Sequence, residues 1–136
     1  RMSFTELPHT ADVKIRARAP TLETLFSDAF DALMLVMYGK DRKGGISREL
    51  TIESTDTEAL LADFLSEVLF ISEVDGLVFS HADIRISDGT LRAMLDGEPF
   101  DQRRHAGGSE VKGISYSGLS VTHDTNGYML DIIFDV

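Results

Sequence analysis

Two hydrophobic periods alternate along the first half of the chain. Apolar residues occupy every second position in residues 13–19 and again in 50–53, which predicts two half-buried strands. After each strand, apolar residues recur every three or four positions, which predicts two amphipathic helices. The apolar stripes of these helices are Leu22, Leu25, Phe26, Ala29, Phe30, Leu33, Met34 and Met37, and then Leu61, Phe64, Leu65, Val68 and Leu69.

Cap residues set the expected ends of both helices. Gly39 is a suitable C-terminal stop for the first helix, and the second is expected to end near Asp75-Gly76. Thr55 and Glu58 have the spacing of a capping box at the start of the second helix.

The second half of the chain has the pattern of two β-hairpins. Asp88-Gly89 and Asn126-Gly127 are two-residue turn signals, each flanked by strand-like sequence. The predicted strands cover 78–86, 90–95, 111–123 and 128–136, and 96–109 is predicted as a loop. The order β-α-β-α followed by antiparallel hairpins predicts an α+β fold, with two amphipathic helices packed on a mainly antiparallel sheet. We expect a single domain over residues 1–136.

Charge and composition exclude several classes of function. The 136 residues carry 23 acidic and 13 basic side chains, for a formal net charge of -10. This charge disfavours broad nucleic-acid binding and suits a basic protein partner. The absence of cysteine excludes thiolate metal sites and cysteine nucleophiles. It is neutral about the compartment but suits a reducing cytosol, and we expect a cytoplasmic protein. No apolar run approaches the roughly 20 residues that span a bilayer, so no membrane role is expected.

Candidate metal ligands lie near both ends of the sequence. His9 and Asp12 stand three residues apart before the first strand, where they could converge on a metal or substrate, or Asp12 could simply bond its own backbone. Asp135 stands beside Val136, and if Val136 is the C-terminal residue its free carboxylate adds a second negative group. Such a pair needs solvent or a hard cation.

Basic residues form two further candidates. Lys112 could pair with Glu110, Asp12 or Asp135, or it could be an ordinary surface lysine. The run Arg103-Arg104-His105 is typical of a solvated loop, but it is also the place where this acidic chain would most readily contact a phosphate.

Four segments taken together resemble the archease family. They are Glu6-Leu7-Pro8-His9-Thr10-Ala11-Asp12, residues 21–29, residues 108–119 and the final Phe134-Asp135-Val136. The likeness covers essentially the whole chain from Phe4. The sequence departs from the usual pattern at Gly113, Ser115 and Ser117, which bears on partner specificity and not on membership.

The resemblance implies a function and a set of site residues. Archeases assist the RNA-splicing ligase that joins 2′,3′-cyclic-phosphate ends to 5′-hydroxyl ends in tRNA splicing and RNA repair. They promote its guanylylation and its multiple turnover. A divalent cation, Ca²⁺ first with Mg²⁺ or Mn²⁺ as alternatives, would be held by Asp12, Asp135 and Val136. Lys112 would be the functional lysine, and His9 and Glu110 are candidates for the surrounding shell.

Three hypotheses follow for the function. The first is a non-catalytic accessory factor whose partner is the RNA-splicing ligase and which meets RNA only through that ligase. The second is a metal-dependent phosphoesterase that uses the same carboxylates, with His9 handling the proton. The third is a chaperone-like interaction module with a structural metal. The sequence does not indicate an oligomeric state.

Overall fold

A computed structural model describes residues 12–136 of the chain, and the predicted α+β order is confirmed in it. These residues form six strands and three helices. In chain order the elements are β1 (Val13–Ala19), α1 (Leu22–Tyr38), β2 (Ile46–Glu53), α2 (Thr57–Asp75), β3 (Leu77–Ser87), β4 (Thr90–Pro99), α3 (Gln102–His105), β5 (Gly113–Asp124) and β6 (Gly127–Asp135).

The strands form two antiparallel sheets, where the sequence predicted one. The first sheet has the order β1-β6-β5 and the second has the order β2-β4-β3. Helix α1 packs on β3 as well as on β1 and β6, and α2 packs on β5 as well as on β2 and β3. Both helices therefore contact both sheets and share one hydrophobic core with them. This explains why α2 buries residues well beyond a single stripe, including Ala62 and Ser72.

The start of α2 differs from the predicted capping box. Asp56, and not Thr55, is the N-cap, and its side chain accepts a hydrogen bond from the amide of Ala59 at 3.2 Å. The carboxylate of Glu58 instead accepts the amide of Val121 in β5 at 3.1 Å. A residue that the local pattern assigns to a cap thus connects α2 to the first sheet.

One of the two predicted hairpin turns is confirmed, and the other is displaced by one residue. Asp88 and Gly89 both have positive φ, 52° and 76°, as a two-residue type I′ turn requires, so this turn is confirmed. In the second hairpin Asp124 pairs with Gly127, so the turn is one residue earlier than predicted, at Thr125-Asn126. Gly127 has φ 118°, and a Cβ there would lie 2.6 Å from the carbonyl oxygen of Ala19. Gly127 therefore permits the close approach of β1.

The segment after β4 is anchored to the end of α1. β4 extends to Pro99, and the predicted loop contains the short helix α3. The amide of Ser109 donates to the carbonyl of Val36 at 2.9 Å, and a Cβ on Gly108 would collide with the carbonyl of Met37. The second glycine of this pair is therefore needed for contact with α1. Within residues 12–136 no helix is both long and apolar enough to cross a membrane.

The adjacent glycines provide a test of this contact. Gly108→Ala is expected to destabilise the fold by about 1–3 kcal/mol, the usual cost of forcing atoms into a packed site. Gly107→Ala is the matched control, because nothing lies within 4 Å of an added Cβ there, and its effect should be within about 0.5 kcal/mol. Urea denaturation measures both values. Equal stability of the two variants would contradict the proposed contact.

Candidate functional site

The order of the first sheet brings three distant parts of the sequence to one end. β6 is the central strand, with Asp135 opposite Gly113 of β5 and Phe134 opposite Val13 of β1. Asp12 directly precedes Val13, so it lies next to the end of β6. Phe134 is buried in the core, and side chains alternate along a strand. Asp12 and Asp135 are therefore placed toward the outer face, and both are exposed.

The carboxylate oxygens at this end of the first sheet are suitable ligands for a hard cation. An added Cβ on Gly113 would lie 4.0 Å from Oδ2 of Asp135, so that carboxylate extends over a position without a side chain. Exposed carboxylate oxygens are the ligands that Ca²⁺ and Mg²⁺ prefer. No group of three or more His, Asp or Glu side chains in residues 12–136 has an arrangement that could hold a metal ion. Asp12 and Asp135 would therefore need further oxygen ligands.

The other predicted metal-site residues lie in different surroundings. Val136 is half-buried and packs against the core, while Glu110 is exposed. His9 lies outside the described residues. The set Asp12, Asp135 and Val136 thus stays a prediction, with the two carboxylates at the same end of one sheet.

Lys112 combines an anchored backbone with an exposed side chain. It precedes β5 and is not within a strand, and its amide donates to the carbonyl of Asp135 at 2.7 Å. The preceding Val111 is only 1% exposed. Within residues 12–136 no carboxylate oxygen lies within 4.0 Å of the Lys112 ammonium, so the predicted pairing with Glu110, Asp12 or Asp135 does not occur among them. The lysine is held in place but its charge is available to a partner.

The outer face of the first sheet carries an ion pair next to this end. Arg16 of β1 contacts Asp131 of β6 through two hydrogen bonds of 2.7 and 3.2 Å. This pair satisfies one of the carboxylates that alternate with apolar residues along the last strand. Both residues line a cleft of about 410 Å³ together with Lys14 and Ile133. Arg16 was not among the predicted site residues, although it lies on the exposed side of an alternating strand.

The basic run after β4 is not a free phosphate site. Arg104 binds Glu98 through two hydrogen bonds, Nη1 to Oε2 at 2.8 Å and Nη2 to Oε1 at 2.6 Å. His105 is 1% exposed, and its Nδ1 accepts the amide of Asp101 at 2.9 Å. The expectation of phosphate contact here is therefore wrong for Arg104 and His105, which hold α3 in place. Only Arg103 of the run is exposed.

Comparison with known proteins decides the family. The model of the archease protein family (MTH1598/TM1083) matches residues 4–136. The chain belongs to the archease family. It is 34% identical to the archease of Methanosarcina barkeri, over 98% of this chain and 95% of that protein. It is 32% identical to the archease of Pyrococcus furiosus, over 94% of each chain.

Two solved structures share the archease fold. The solution structure of protein 1598 of Methanobacterium thermoautotrophicum superposes with a TM-score of 0.76 at 23% identity, covering 96% of each chain. The crystal structure of an archease from Thermotoga maritima, described as a possible chaperone, gives 0.73 at 18% identity over 100% of this chain and 99% of that one. At these identities the likeness concerns the fold alone.

The Arg104–Glu98 pair predicts a specific acid sensitivity. The hydrogen bonds from Arg104 lower the pKa of Glu98 to about 2, below its ordinary 4.5. The stability that the ionised pair contributes is fully present above pH 4.5 and is lost as the pH falls toward 2. Glu98→Gln should thus be less stable than wild type at pH 7, and the difference should shrink on acidification.

Urea denaturation at several pH values measures this difference. Glu49→Gln is the control, since Glu49 is exposed and has no ion pair within the described part of the chain. Its stability curve should follow that of wild type. A constant gap between Glu98→Gln and wild type from pH 7 to pH 2 would contradict the assignment.

Proposed function

We propose that this archease-family chain is an accessory factor of the RNA-splicing ligase that joins 2′,3′-cyclic-phosphate and 5′-hydroxyl RNA ends. It promotes guanylylation and multiple turnover of that enzyme in tRNA splicing and RNA repair in the cytoplasm. It contacts RNA only through the ligase. The observation that carries the proposal is the family match over residues 4–136. The exposed Lys112 on its anchored backbone supports it.

Asp12, Asp135 and an oxygen of Val136 would hold the divalent cation in this proposal. The preferred ion is Ca²⁺, because all of these ligands are oxygen atoms and the chain has no cysteine. When bound, the cation would supply positive charge at one end of a protein whose net charge is -10. Asp12 lies just before β1 and Asp135 is the last residue of β6, so a cation between the two carboxylates would also tie β1 to β6.

Lys112 would act on the ligase through its ammonium group. A lysine is a compact point charge that suits phosphate, nucleotide or carboxylate groups in a partner site. The hydrogen bond from its backbone amide to the carbonyl of Asp135 keeps the residue beside the proposed cation site, while the side chain is exposed to solvent. Lys112 is therefore the residue we expect to contact the ligase centre.

A ligation assay tests the proposal. The cognate ligase is held limiting over RNA with 2′,3′-cyclic-phosphate and 5′-hydroxyl ends, and product is counted per ligase molecule with and without this chain. We expect several turnovers in its presence and about one in its absence. Equal product with and without the chain would refute the accessory role.

A chaperone-like module with a structural metal is the second candidate, favoured by the description of the Thermotoga maritima relative as a possible chaperone. It differs in what happens to metal-site variants. A purely structural cation predicts that these variants lose function only to the extent that they unfold. A folded variant of Asp12 that no longer stimulates the ligase would exclude this alternative.

Lys112→Ala should separate function from folding. Exposed lysines contribute little to stability, so the melting temperature should be close to that of wild type. Ligase guanylylation and multiple turnover should be lost, because alanine has no charge for a partner. Lys14→Ala is the control, an exposed lysine of β1 that should leave both assays unchanged. Normal stimulation by Lys112→Ala would show that the assigned role is wrong.

Asp12→Asn should abolish calcium-dependent stabilisation. A ligand that binds only the native state raises the melting temperature, and the amide keeps the shape of the side chain but removes its charge. Thermal unfolding with and without millimolar Ca²⁺ measures the shift. The matched control Asp83→Asn changes an exposed aspartate of the second sheet and should retain the calcium-dependent stabilisation. A wild-type melting temperature that is the same with and without Ca²⁺ would contradict the cation site.

A further inference from the structure

Three exposed apolar side chains lie on the surface formed by α2 and β5. Phe70 is 57% exposed and Val74 is 64% exposed, one helical turn apart on α2. Tyr116 of β5 is 61% exposed, and its hydroxyl donates to Oδ1 of Asp63 at 3.0 Å. Asp63 lies seven residues before Phe70 and thus on the same helical face. Large apolar groups grouped in this way mark contact surfaces more often than isolated ones do.

A groove of about 520 Å³ runs beside these residues, between α2 and the last residues of β2. Its charged lining consists of Glu53, Asp63 and Glu67, and no lysine or arginine lines it. None of these carboxylates has an ion-pair partner within 4.0 Å among residues 12–136. The groove, called here the acidic groove, therefore has uncompensated negative charge around the exposed ring of Phe70.

The charge of the acidic groove selects its occupant. Phosphate groups would be repelled by three carboxylates, which excludes an RNA backbone. A symmetric contact between two copies of the chain would bring the same carboxylates together, which disfavours self-association through this face. A segment with basic side chains gains Coulomb attraction, and an arginine or lysine can also lie against the face of Phe70.

The edge of the second sheet adds main-chain groups to this surface. β2 is an edge strand, paired with β4 on one side and with no strand on the other within the described residues. An extended peptide can add to such an edge through backbone hydrogen bonds while its side chains enter neighbouring pockets.

We propose that the acidic groove docks an extended segment of the partner ligase that bears lysine or arginine beside an apolar side chain. The basic groups would pair with Asp63 and Glu67, and the apolar group would pack on Phe70. This inference rests on the proposed function. Tyr116, at one end of the surface, follows Lys112 by four residues, a chain length of at most about 14 Å. A ligase held in the groove would thus be within reach of Lys112.

Binding of the cognate ligase to variants of the full chain tests the groove. Glu67→Lys and Phe70→Ala should each weaken binding about tenfold or more, as expected for charge reversal and for loss of an aromatic anchor. Asp83→Lys makes the same charge change on β3, the far strand of the second sheet, and Met94→Ala truncates an exposed apolar residue of β4, its central strand. Both controls should bind nearly as wild type does. Calorimetry gives the affinities, and melting curves verify folding.

Two further readouts separate docking from activation. The affinity of wild type should fall as salt rises from 50 to 200 mM, and Glu67→Lys should show less of this dependence. In the ligation assay both groove variants should need about tenfold more protein for half-maximal stimulation but reach the wild-type plateau, because Lys112 and the carboxylates at the sheet end are intact.

Two outcomes would overturn the proposal in distinguishable ways. If wild type binds and stimulates the ligase while Glu67→Lys and Phe70→Ala bind equally well, the groove is not the docking surface and the accessory function stands. If wild type neither binds nor stimulates the ligase, the proposed function fails and the docking role fails with it.

Discussion

The central position of β6 is the constraint on which the candidate site depends. The last strand pairs with β1, more than a hundred residues earlier, and with β5 on its other side. This ladder places Asp12, Asp135 and Lys112 at one end of one sheet. The tight passage of Gly127 against Ala19 belongs to the same constraint, because β1 approaches β6 closely at its other end. Loss of the β1–β6 pairing would separate Asp12 from Asp135, and loss of the β5–β6 pairing would separate Lys112 from Asp135.

Around the β1–β6–β5 sheet, the residues that fix the backbone differ from those that place charged groups at the surface. Buried Val111, the Ser109–Val36 hydrogen bond and the close contact of Gly108 fix the backbone that leads to Lys112. The charges that would contact a partner lie at the surface. Lys112 at the sheet end and Asp63 and Glu53 of the acidic groove are exposed, and Glu67 is half-buried. This separation suits an accessory factor, since its surface can be changed with little effect on its core.

Sequence periodicity was sufficient to predict the helices and strands, but it was insufficient to predict which of them lie side by side. The three-and-four spacing located α1 and α2, and the Asp88-Gly89 signal located a hairpin, because these depend on local geometry. The division into two sheets was missed because alternation shows that a strand has a buried face without showing which strand lies beside it. Arg104 was predicted to be available to a phosphate. Its partner Glu98 becomes a neighbour only because the chain turns at α3. The residue pattern gave Asp12, Asp135 and Lys112 as candidates beside ordinary structural alternatives, and the family resemblance selected them. The acidic groove forms between α2 and β2, a pairing of elements that periodicity does not indicate.

Backbone amide NMR during a Ca²⁺ titration would locate the bound cation directly. We expect saturable shifts concentrated at the shared end of β1, β5 and β6, in residues 12–14, 112–114 and 133–136. The amides around Glu53, Asp63 and Glu67 should move little, although carboxylates are dense there. Shifts centred on the acidic groove, or spread evenly over the acidic surface, would contradict a cation site built by the central strand.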